Sequence, residues 1–67
     1  MQEMTVKQVK DLLKDKTVSQ VFVMLKVGKT FTYIRVSKAS VFSAIKGYAD
    51  YRTIQASGGA DLCLFLG

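Results

Sequence analysis

The stretch from Val18 to Val36 constrains the fold more than any other part of this chain. It reads Val-Ser-Gln-Val-Phe-Val-Met-Leu-Lys-Val, then Gly28-Lys29, then Thr-Phe-Thr-Tyr-Ile-Arg-Val. Two runs rich in β-branched and aromatic residues, separated by two residues of which the first is Gly, predict a hairpin with a type II′ turn in which Val27 faces Thr30. Side chains alternate along a strand, so this pairing sorts the hairpin into two faces. One carries Val21, Val23, Leu25 and Val27 beside Thr30, Thr32, Ile34 and Val36, and is expected to be a core face. The other carries Phe22, Met24 and Lys26 beside Phe31, Tyr33 and Arg35, and is too apolar to lie idle in water.

Sixty-seven residues are read as a single small domain, 1–67, below the size at which one core comfortably outweighs chain entropy. Such domains draw on disulfides, a metal or self-association for the remainder. Cys63 is the one cysteine and histidine is absent. An intrachain disulfide therefore has no partner and a Cys/His zinc site has no ligand set, so no cofactor or metal is expected. Self-association is left, and a homodimer is the expected state.

A helix is predicted over 6–16, with Thr5 as cap and Val6, Val9, Leu12 and Leu13 forming its apolar stripe. Lys7 and Asp11 on its outer surface read as a solvated helix pair. A second helix follows Ser37, with Val41, Ala44, Ile45 and Tyr48 inward and Gly47 as a weak point. Capping accounts for Ser37 and Ser40 without an anion. Residues 51–57 and 60–66 read as another hairpin around Gly58-Gly59. The order α-β-β-α-β-β gives an α+β fold: a four-stranded, mainly antiparallel sheet with two helices on one face. The strand order between the hairpins is open.

Symmetric pairing around Gly58-Gly59 sets Leu62, Leu64 and Leu66 with Tyr51, Thr53 and Gln55, and turns Cys63 and Phe65 toward the side of Ile54 and Arg52. The helix-free face is then expected to show Phe22, Met24, Phe31, Tyr33, Ile54, Cys63 and Phe65, edged by Lys26, Arg35 and Arg52. Monomers rarely expose so much contiguous apolar surface. Three occupants compete: a second copy, single-stranded nucleic acid stacked on the aromatics, or another protein. Met24, Ile54 and Cys63 make the face resemble a core, which favours protein over nucleic acid.

The formal charge of +5 suits acidic partners. Between Asp15 and Asp50 there is no acid, yet Lys16, Lys26, Lys29, Arg35, Lys38 and Lys46 all occur. The longest apolar runs, 21–25 and 62–66, are too short to cross a membrane. With no signal-peptide pattern at the start, a cytoplasmic protein with a reduced thiol is expected.

Catalytic motifs fail on inspection. Gly28-Lys29-Thr30 matches the end of a phosphate-binding loop, but Val23 stands where that loop needs Gly, and a strand follows where it needs a helix. Without histidine, a Ser or Cys nucleophile lacks its usual base. Cys63, between Leu62 and Leu64, reads as an unreactive thiol. The five carboxylates sit on helix surfaces, in loops or at a strand start, so neither an enzyme nor a small-molecule substrate is expected.

The expected function is that of a non-catalytic, self-associating binding protein. Its interface residues are Phe22, Met24, Phe31, Tyr33 and Phe65, and Lys26, Lys29, Arg35 and Arg52 attract an acidic protein partner. A short chain opening at Met1 without a targeting signal suits an accessory regulator or inhibitor of the phage or mobile-element type, by compositional analogy. The alternative is a single-stranded nucleic-acid-binding module using the same aromatic and basic face.

Overall fold

The computed structural model describes residues 2–66. The elements run β1 (Gln2–Thr5), α1 (Val6–Lys14), β2 (Gln20–Val27), β3 (Thr30–Val36), α2 (Lys38–Ile45), β4 (Thr53–Ser57) and β5 (Asp61–Phe65). The fold is α+β, with two helices on a five-stranded, mostly antiparallel sheet of order β1-β4-β5-β2-β3. The hairpins meet through β2 and β5, which pair in parallel with Val21 beside Leu62 and Val23 beside Leu64. Every other neighbouring pair is antiparallel.

The expected element order holds with one addition. β1 is a fifth strand that pairs with β4, Met4 opposite Ile54. Gln2-Glu3-Met4-Thr5 carries a single apolar residue, so sequence alternation gives no signal there. Its end is fixed by a capping box: the Gln8 amide donates to Thr5 Oγ1 at 3.1 Å, and the Thr5 amide donates to Gln8 Oε1 at 2.9 Å. α1 stops at Lys14, two residues short of the predicted end. The Asp15 carboxylate accepts from both the Thr17 amide, at 2.9 Å, and the Thr17 hydroxyl, at 2.8 Å, which turns the chain out of the helix.

The first hairpin has its predicted register, Val27 opposite Thr30 and Val21 opposite Val36. Gly28 has φ +62° while Lys29 keeps a negative φ, as a type II′ turn requires. The second hairpin does not pair symmetrically. Ala56 faces Leu64, Gln55 faces Phe65 and Ser57 faces Cys63, so Ile54 and Ala56 share the side of Leu62 and Leu64. The symmetric register would have buried Gln55 and exposed Ile54; parallel pairing with β2 decides against it by seating Leu62 and Leu64 next to Val21 and Val23.

One core results. Val6, Val9 and Leu13 of α1 and Val41 and Ile45 of α2 pack on Val21, Ile54, Ala56, Leu62 and Leu64, with Val18 closing one end. No polar or charged residue among those described is buried. Both helices therefore lie on one face of the sheet, and Ala44, expected inward, is exposed.

Candidate binding face and hairpin arm

On the helix-free side, the β3, β2 and β5 strands place Tyr33 beside Met24 and Met24 beside Phe65. The row continues through Gln55 of β4 to Glu3 of β1. The next row holds Arg35, Phe22, Cys63 and Ser57. Apolar side chains thus fill the β5-β2-β3 half, and polar ones fill the β1-β4 half. The five expected interface residues, Phe22, Met24, Phe31, Tyr33 and Phe65, do come together here. Ile54 does not: the register of the second hairpin buries it under the helices.

Exposure within this half is graded. Phe22, Met24, Cys63 and Phe65 are partly sheltered, whereas Phe31 and Tyr33 on β3 are 53% and 61% exposed. Phe31 reaches over β2 to meet Phe65, their ring centroids 6.5 Å apart and inclined at 66°. Met24, Phe31, Gln55 and Phe65 line a shallow groove between them.

The opposite face of the same hairpin also departs from expectation. It is core only at its base, where Val21 is buried and Val23 and Val36 are partly so. Toward the tip the helices no longer reach it, and Leu25, Val27 and Ile34 are 38%, 62% and 44% exposed. Alternation predicted which face each residue occupies, but not how far the helix layer extends. The result is a hairpin arm with uncovered apolar side chains on both of its faces.

Lys26 and Arg35 flank the aromatics, and Lys29 crowns the turn. Among the described residues none of the three is in an ion pair; the pairs that form are Lys7 with Asp11 at 3.6 Å and Lys10 with Asp50 at 3.5 Å, away from the arm. Arg52 has a different position from the one expected. It precedes β4 with the helix-side parity of Ile54, and its guanidinium lies 3.9 Å from the centre of the Tyr48 ring. It is remote from Lys26 and Arg35 in the sheet order, and its role here is to pack the end of α2 against the β4 entrance.

The Ser37 end of α2 is satisfied internally. Ser37 Oγ accepts from the Ser40 amide at 3.1 Å, and Lys38 Nζ donates to the Asp15 carbonyl at 2.9 Å. Burial pushes the Cys63 thiol above its ordinary pKa, away from the thiolate a nucleophile needs. Among the described residues no three of His, Cys, Asp and Glu converge as a metal site, and no helix is long and apolar enough to cross a membrane.

No family model, curated protein or solved structure matches this chain. The functional reading therefore rests on the geometry of the arm and its face.

Proposed function

We propose that this chain is a non-catalytic binding protein that self-associates through its β2-β3 arm and presents the adjoining basic, aromatic face to an acidic protein surface, as a small regulator or inhibitor would. The observation that carries this reading is the arm itself. Leu25, Val27, Phe31, Tyr33 and Ile34 are exposed on one hairpin, and such a concentration of apolar surface marks an interaction site. Met24 and Phe65 supply central anchors, and Lys26, Lys29 and Arg35 form a cationic rim of the kind that steers an acidic partner.

Nucleic acid is the second reading, supported by Phe31 and Tyr33 standing exposed between Lys26 and Arg35. Two titrations separate the two. Self-association through apolar surface between like-charged copies strengthens as salt rises, whereas oligonucleotide binding weakens steeply with salt. A single-stranded oligonucleotide that binds at low salt and is lost in Tyr33→Ala would favour the second reading. A chain that stays monomeric at all salt concentrations would remove the first.

A further inference from the structure

We propose that β3 is the seam of a two-fold dimer: the β3 strands of two copies pair antiparallel, Tyr33 opposite Tyr33 of the second copy, and join two five-stranded sheets into one. This specifies the self-association proposed above and rests on it.

The backbone of the arm carries the argument. In a two-residue II′ loop the Val27 carbonyl accepts from the Thr30 amide, so Val27 and Thr30 are a hydrogen-bonded pair. Pairs alternate along an antiparallel ladder, which makes Leu25/Thr32, Val23/Ile34 and Val21/Val36 hydrogen-bonded as well. The N–H and C=O groups of Phe31, Tyr33 and Arg35 consequently point away from β2. Because β3 ends the sheet, they meet no neighbouring strand.

That pattern is self-complementary. With Tyr33 at the two-fold axis, Phe31 stands opposite Arg35 of the second copy, and Thr32 stands opposite Ile34. Every outward-facing residue then meets another, and all their donors and acceptors are matched. Arg35 is the one charge in β3; this register keeps it away from its twin and sets it beside an aromatic ring, where a guanidinium is favoured. Centring the pair on Arg35 would oppose like charges.

Edge strands are commonly blunted by shortness, Pro, charged side chains or a bulge. β1, the other edge, is four residues long, carries Glu3 and ends in a capping box. β3 has seven residues, no Pro, a single charge (Arg35) at its next-to-last position, and an unbroken register with β2. On β3 itself the exposed apolar side chains are Phe31, Tyr33 and Ile34. The two aromatics alone hold on the order of 200 Å², at roughly 150–250 Å² for a whole aromatic side chain. That is about a quarter of the roughly 800 Å² per partner in a standard interface, and the paired backbone adds to it. Antiparallel pairing also brings each hairpin tip alongside the start of the second copy's α2, whose exposed residues Ala39, Ser40, Ser43 and Ala44 are all small.

Sedimentation analysis of three proteins tests the seam. Tyr33→Pro and Tyr33→Ala both lose the ring, but only the proline loses the outward N–H, a change that edge strands tolerate. The wild type is expected to dimerise, and Tyr33→Pro to dimerise about tenfold or more weakly than Tyr33→Ala. If Tyr33→Pro fails to fold, single variants Thr32→Cys and Ile34→Cys in a Cys63→Ser background replace it. Thr32 and Ile34 form a non-hydrogen-bonded pair across the seam, at a separation a disulfide can span. Mixing the two variants in a glutathione buffer should give a disulfide-linked dimer that neither gives alone. A monomeric wild type would overturn both this seam and the self-association reading. A wild-type dimer with equal affinities for the Pro and Ala variants, or without the mixed disulfide, would overturn the seam alone.

Discussion

Phe31 of β3 and Phe65 of β5 are separated by a whole strand, yet their rings meet edge to face at 6.5 Å. Phe31 thereby ties the exposed arm to the sheet above Met24. Pairs of this kind are worth about 0.5–1.5 kcal/mol beyond the area they bury, and Phe31 is half exposed. Phe31→Ala should cost about 1 kcal/mol in chemical denaturation and make the melting temperature less dependent on protein concentration. An unchanged concentration dependence would show that the arm is no part of an interface.

The helix layer ends partway along the first hairpin, so two leucines that alternate onto the same face should behave differently. Leu64 is fully buried and Leu25 is 38% exposed. Leu64→Ala should cost about 2–5 kcal/mol and unfold a domain of this size at room temperature, whereas Leu25→Ala should cost under about 1 kcal/mol. Equal losses in urea denaturation would mean that the core extends to the tip.

The first hairpin was legible because turn chemistry and alternation agree at Gly28-Lys29, and a single register satisfies both. Helix starts at Thr5 and Ser37 were legible for a similar reason: a side-chain oxygen ahead of an apolar stripe has one efficient use. Gly58-Gly59 misled because the paired glycines are not the midpoint of the turn. β5 begins pairing with β2 at Asp61, and its partners across β4 start only at Cys63. The alternation Thr53-Ile54-Gln55-Ala56-Ser57 held the needed signal, since only one parity sets Ile54 and Ala56 with the leucines. β1 and the parallel junction of β2 with β5 depend on contacts between distant segments, which no local pattern records. Alternation placed Phe22, Met24, Phe31, Tyr33 and Phe65 on one face, as the strand registers do. It did not reveal the exposure of Leu25, Val27 and Ile34, because helix length does not show how much sheet a helix covers.

Cys63 sits half-buried on the open face, and burial holds its thiol above the usual range. Alkylation by iodoacetamide near neutral pH should be several-fold slower than for a free thiol, and the difference should vanish in denaturant. A rate at or above that of a free thiol would require an activating charge nearer to Cys63 than Arg35, which lies two strands away in the same row.

Asp15 accepts two hydrogen bonds from Thr17, first from its amide and then from its hydroxyl, and these hold its pKa below the ordinary carboxylate value. A depressed folded-state pKa gives stability that is present above the unfolded value, about 3.9, and is lost as pH falls through the lower folded value. Denaturation midpoints should therefore fall less steeply below about pH 4 in Asp15→Asn, whose amide oxygen keeps the turn without titrating. Parallel declines in the two proteins would place the acid sensitivity elsewhere.

The most direct test is the mass of the chain in solution. Sedimentation equilibrium across the micromolar range, repeated at low and high salt, should give a species of twice the 7.4 kDa chain mass, with its population rising as salt screens the excess charge. A single 7.4 kDa species at every concentration and salt level would contradict the account, because the arm would then remain bare in water.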